Sequence, residues 1–122
     1  MKIKLISIIV LSVFSTVAFA DESAPEFNCK KKVILEYIPG DRWSDLESAL
    51  PRHLEYLAEQ LKNGNLEFAG PLVVDSSDPI GGLAIFNLSD IKAVMNLSQN
   101  DPLITEGIAT FSVRNWVQCV LK

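Results

Sequence analysis

The chain contains a single histidine, His53. Imidazole ordinarily titrates near neutral pH, so it can both take and return a proton. Some twenty residues on, Asp75-Ser76-Ser77-Asp78-Pro79 supplies two carboxylates just past a strand-like run. A carboxylate beside an imidazole fixes its tautomer and supports it as a base. The acid/base pair expected from these residues is His53 with Asp75, and Asp78 is the alternative. Plainer uses stand beside this one. A lone histidine is ordinarily a surface or half-buried bystander, and Asp-Ser-Ser-Asp-Pro turns a chain through side chain to backbone bonds. One histidine and two distant cysteines make a poor zinc site. The acidic loop lacks the glycine and closing glutamate of a calcium loop. No helix follows Gly81-Gly82 to complete a phosphate cradle. No metal or organic cofactor is expected.

The elements that must position these groups are readable from periodicity. Val33 to Ile38 is β-branched and mostly apolar, a first strand stopped by Pro39-Gly40. Pro51 suits the first turn of a helix, because its missing N–H costs nothing there. Leu50, Leu54, Leu57, Ala58 and Leu61 then recur at helical spacing and form one apolar stripe. His53 lies about 70° from the centre of that stripe, an edge position. Asn63-Gly64-Asn65 ends the helix. Leu66 to Val74 is a second strand interrupted at Gly70-Pro71, which signals an edge, a bulge or a close approach. Gly81 to Phe86 is a third strand. Ser89 or Asp90 starts a second helix with Ile91, Val94, Met95 and Leu97 or Ser98 inward, and Asp101-Pro102 is its exit. Ile108 to Leu121 is a long last strand.

The order β-α-β-β-α-β, with right-handed crossovers, folds as a ferredoxin-like α+β domain with both helices on one face of an antiparallel sheet. First and fourth strands are then antiparallel neighbours. Cys29, before the first strand, comes beside Cys119, near the end of the last, and a disulfide between them is expected. Trp43 suits a pocket or a contact surface. Trp116 has the opposite parity to Phe111 and Val113 and belongs on the sheet face away from the helices, which is half apolar and predicts a homodimer.

Residues 1–20 read as a cleavable signal peptide. Lys2 and Lys4 precede the apolar run Leu5 to Val17, and Ala18-Phe19-Ala20 places small residues for cleavage after Ala20. The run is too short for a comfortable membrane span. A short extension, residues 21–30, then leads into a domain over residues 31–122. A periplasmic or secreted product is expected, and an even cysteine count in an oxidising compartment favours the disulfide. Loss of Lys2 and Lys4 takes the formal charge from −4 to −6, because every acidic residue lies beyond residue 20. The acidic balance gives no support for nucleic-acid binding or, after cleavage, for anionic membranes. Lys30-Lys31-Lys32 reads as a solvated lead-in to a strand.

His53-Leu54-Glu55-Tyr56-Leu57, Phe68-Ala69-Gly70-Pro71-Leu72, Gly81-Gly82-Leu83-Ala84-Ile85-Phe86 and Asp101-Pro102-Leu103 with Gly107, in that order, resemble the YCII-related (YciI-like) family. The resemblance spans roughly residues 31 to 118. It implies a protomer of the dimeric α/β-barrel type, pairing through its sheet, with a His/Asp active-site pair. It also implies kinship with dehydrochlorinases and lactone isomerases. By resemblance His53 takes the family histidine's place and Asp75, or Asp78, the aspartate's. The leader, the cysteine pair and the segment Asp41 to Leu50 depart from the pattern.

The expectation is an exported lyase or isomerase for a compact anionic or carbonyl-bearing organic molecule. His53 is its general acid/base, held by Asp75, and Gly70, Pro71 and Tyr56 bind substrate. A non-catalytic ligand-binding or interaction module of the same fold is the rival, and a cofactor-independent oxygenase is a third reading.

Overall fold

The computed structural model describes residues 2–3, 24–75 and 78–122. The expected signal peptide and its cleavage point lie, apart from Lys2 and Ile3, outside the described residues. Those two form a short strand β1 (Lys2–Ile3). It is followed by β2 (Phe27–Pro39), a 3-10 turn (Trp43–Asp45), α1 (Leu46–Lys62), β3 (Leu66–Val73) and β4 (Pro79–Phe86). The helices α2 (Ile91–Ser98) and α3 (Pro102–Thr105) precede the last strand, β5 (Ala109–Leu121). The chain divides into two compact units, residues 31–116 and a smaller one of residues 1–30 with 117–122. The strands β2 and β5 contribute residues to both.

The larger unit is an α+β, ferredoxin-like fold. β4 lies between β2 and β3, antiparallel to each, and β5 pairs with the other edge of β2. Gly40, just past the end of β2, donates its N–H to Ile108, just before β5 (2.9 Å), as an antiparallel pair requires. Alternation builds the core. Val33, Leu35 and Tyr37 of β2 and Ala84 and Phe86 of β4 are buried together with Ala49 of α1, Val94 of α2 and Leu103 of α3. Their register partners confirm one shared face: Val33 sits opposite Phe86, and Leu35 opposite Ala84.

Local signals hold at most element ends. Gly64 takes the left-handed conformation (φ 86°) after α1. Asp90 caps α2 by accepting the Lys92 N–H at 3.0 Å. Pro71 is accommodated because β3 is the outermost strand, where a missing donor is tolerated. Two expectations need correction. Pro51 lies inside α1, five residues past its start. The preceding turn brings Leu46 and Ala49 against the core, and that packing outweighs one lost backbone bond. Lys32 is buried rather than solvated, its ammonium held by the Asn87 carbonyl oxygen and 3.5 Å from Glu67.

In the smaller unit β1 pairs with the start of β2, Lys2 opposite Asn28 and Ile3 opposite Phe27. Cys29 and Cys119, ninety residues apart, form a disulfide. Beyond it the Lys122 N–H donates to the Glu26 carbonyl (3.0 Å) and its ammonium pairs with the Glu26 carboxylate (2.9 Å).

Candidate functional site

The apolar stripe of α1 does not face the core squarely. Its buried line is Ala49, His53 and Gln60, while Leu50, Leu54 and Leu61 remain 37%, 53% and 47% exposed. His53 is therefore central to the buried face rather than at its edge. Its ring stands edge-on to that of Tyr37 in β2, with centroids 5.3 Å apart at 82°. Its Nδ1 lies 2.9 Å and 3.1 Å from the two carboxylate oxygens of Asp101.

Asp101 reaches this position because Asp101-Pro102 begins a helix rather than merely ending one. Proline at N1 starts α3, and Asp101 is its N-cap, Oδ1 accepting the Leu103 N–H at 3.0 Å. Oδ2 accepts the Tyr37 hydroxyl at 2.6 Å. The carboxylate is wholly buried, and three donors surround it. A carboxylate only accepts, so His53 Nδ1 carries a proton, and in the neutral ring Nε2 is then the atom with the lone pair, without a partner among the described residues. Burial first, and the neighbouring Asp101 charge second, push the Tyr37 phenol well above the ordinary tyrosine range, so Tyr37 stays a donor.

The glycine pair in β4 makes room for Tyr37. A Cβ on Gly81 would lie 2.8 Å from the Tyr37 carbonyl oxygen, and one on Gly82 3.2 Å from the Tyr37 ring. Close approach between strands is thus the use of Gly81-Gly82.

Under α1 lies a cavity of about 290 Å³, open to solvent and walled by α1 and its preceding turn on one side and β3 and β4 on the other. His53 and Tyr37 line it. Trp43 comes from the turn before α1, Leu46 and Leu50 from its first residues, and Trp43 is fixed by donating its Nε1–H to the Pro79 carbonyl at 3.2 Å. Leu50 and Leu54, two of the three exposed leucines of α1, thus serve a cavity wall rather than the protein core.

The sequence-derived residues divide clearly. His53, Gly70 and Pro71 line the cavity. Asp75 and Asp78 do not meet His53: both are exposed in the connection between β3 and β4, and the carboxylate on the imidazole is Asp101, 48 residues along the chain. Tyr56 is not in the cavity either. Its hydroxyl donates to the Leu97 carbonyl at 2.9 Å, tying α1 to α2, and burial with the Asp101 charge pushes its phenol up to about 12. Tyr37 and Asp101 were missed as site residues. The Asp-Pro helix start is a sequence signal for a cap, but nothing local says that the cap's second oxygen meets an imidazole. Among the described residues no cluster of three His, Cys, Asp or Glu side chains is placed to hold a metal.

The chain belongs to the YCII-related domain family, whose profile matches residues 31–117. No curated protein matches the sequence. Among solved structures the chain is similar to a 5-chloro-2-hydroxyhydroquinone dehydrochlorinase from Burkholderia phenoliruptrix, solved in complex with 2,5-dihydroxybenzoquinone. That likeness has 23% identity and a TM-score of 0.56 over 69% of this chain and 92% of the other. It shows the fold. A protein of Shewanella oneidensis (12%, TM-score 0.49, 77% of this chain and 98% of the other) is more distant. So is SnoaB, a cofactor-independent oxygenase from Streptomyces nogalater (13%, TM-score 0.41, 70% and 89%).

Proposed function

We propose that this YCII-related protein is a small-molecule lyase or isomerase in which His53 is the general acid/base and Asp101 its orienting partner. One observation carries the proposal: a buried carboxylate holds Nδ1–H of an imidazole that lines an apolar, solvent-open cavity. In that tautomer Nε2 accepts a substrate proton, the imidazolium formed is stabilised by Asp101, and the proton is returned to product or solvent. Tyr37 and the Leu103 N–H fix the carboxylate, so the imidazole is held before substrate arrives. Proton transfer by a positioned group contributes roughly 10²–10⁴-fold. A folded His53→Ala variant is expected to lose at least that much of whatever turnover a substrate screen finds. Saturable binding without product in the wild type assigns the cavity to a binding module instead, and turnover unchanged in the folded variant rejects His53 as the acid/base.

The assembly we propose is an exported homodimer joined through the open sheet face. Ile34 opposes Ile85, which in turn opposes Phe68, so these three share that face, and Phe68 is 58% exposed. The leader-like first twenty residues and the Cys29–Cys119 disulfide support an oxidising destination, periplasmic or secreted. Sedimentation of wild type and Phe68→Glu tests the dimer, and the variant is expected to be monomeric.

A further inference from the structure

We infer that the cavity takes an uncharged, largely apolar compound whose conjugate base is delocalised, a phenol- or enol-type acid, and not a carboxylate or phosphate. The inference rests on the acid/base assignment above. Among the described residues no lysine or arginine lines the cavity. The neighbouring Arg52 is engaged elsewhere, its guanidinium gripping Glu106 at 2.8 Å and 3.0 Å. The polar side-chain atoms that do line it are committed inward: the Trp43 N–H to Pro79, and the Tyr37 hydroxyl and His53 Nδ1 to Asp101. Among the described residues His53 Nε2 is the side-chain group left to meet a ligand's polar atom. An anion entering would lose water and gain no cation, so its desolvation is not offset. The rest of the wall, with Trp43, Leu46, Leu50, Leu54 and Leu57 on the helix side, rewards hydrocarbon. In size, the space is about twice the roughly 150 Å³ apolar cavity that holds benzene, which fits one substituted ring or two fused rings.

The chemistry narrows the class further. When an O–H or C–H proton moves to Nε2, the bonding pair stays on the substrate as negative charge. Among the described residues the only positive charge facing it is the imidazolium. Among the described residues no second side-chain donor is free to act as an oxyanion site, so the class that fits is one whose own conjugated system spreads the charge. Returning the proton to another atom of that system completes a tautomerisation without oxidant, reductant or metal.

The test is isothermal titration of the purified protein at pH 7 with 2-naphthol and 2-naphthoate, matched in ring system and differing in charge, using wild type, His53→Ala and Ala69→Trp. Ala69 is an exposed lining residue on the outer strand, so the last variant fills the cavity without touching the core. The expected result is naphthol binding at least tenfold tighter than naphthoate and weakened at least tenfold by either variant. Equal or tighter naphthoate binding that both variants abolish overturns the uncharged-ligand inference and leaves the site assignment standing. Binding of either probe that survives both variants places the ligand elsewhere and overturns the site assignment as well. No binding of either probe at millimolar concentration overturns the inference.

Discussion

Replacing Asp101 should be among the most damaging single changes in the chain, by an amount that depends on the replacement. Asp101 is wholly buried and accepts from His53 Nδ1–H, the Tyr37 hydroxyl and the Leu103 N–H. Asp101→Ala leaves two buried side-chain donors unsatisfied, at roughly 1–3 kcal/mol each, and removes an N-cap of about 1 kcal/mol. The expected loss is about 3–7 kcal/mol, a large part of the roughly 5–15 kcal/mol that holds a domain together. Asparagine caps as well as aspartate and keeps one acceptor, but it turns an N–H toward a remaining donor or toward Nδ1. Asp101→Asn should therefore cost only about 1–3 kcal/mol. Its effect on turnover should be far larger than on stability. An amide that donates to Nδ1 puts the proton on Nε2, the wrong tautomer for a base, and in serine proteases the equivalent exchange costs about 10⁴-fold. Urea denaturation followed by the fluorescence of Trp43 and Trp116 measures the stabilities. Combining Asp101→Asn with Tyr37→Phe should be non-additive by at least about 0.5 kcal/mol, because the two groups share one bond. A loss of under about 1 kcal/mol for Asp101→Ala would refute the picture of a fully enclosed network.

Three other outcomes follow from the geometry. The chain has only two tyrosines, and both phenols are raised, Tyr56 to about 12 and Tyr37 further. A raised folded-state value favours the neutral phenol, so their stabilising contribution is complete below pH 10 and is lost as pH rises towards and past 12. Absorbance at 295 nm should show almost no phenolate at pH 10.5 in native protein and two full equivalents after unfolding in urea at about pH 12. Cys29→Ser with Cys119→Ser opens a loop of ninety residues. The chain-entropy account puts the loss at about 4–5 kcal/mol before strain, readable as a lower urea midpoint and matched by reduction of the wild type. Gly81→Ala, whose Cβ would lie 2.8 Å from the Tyr37 carbonyl, should cost about 1–3 kcal/mol and lower turnover through Tyr37. Gly70→Ala meets nothing within 4 Å and should stay within about 0.5 kcal/mol of wild type by the same denaturation assay.

Strand and helix identity, their order and hence the ferredoxin-like topology were legible in the sequence. So was the neighbourhood of Cys29 and Cys119, because alternation and capping are local and the topology that follows them admits few alternatives. Boundaries were less legible. β2 runs six residues further back than its apolar core, through Lys30, Lys31 and Lys32, since pairing to β5 and burial against Asn87 and Glu67 hold it there. The rotation of α1 was also hidden. A stripe of leucines looks the same whether it meets a core or a cavity, and only the empty space between α1, β3 and β4 separates the two.

The identity of His53's partner was a tertiary matter altogether. By itself the sequence determined that an imidazole sits on a regular helix, that several carboxylates lie in turns, and that Asp101-Pro102 marks a helix terminus. Which carboxylate meets the ring depended on how the turn before α3 is carried over the sheet, a packing relation between segments 48 residues apart. Spacing along a chain fixes the direction of a side chain within its own element. The meeting of two elements is decided by the burial of their whole faces, and that burial brought Asp101 to His53 and left Asp75 and Asp78 in water.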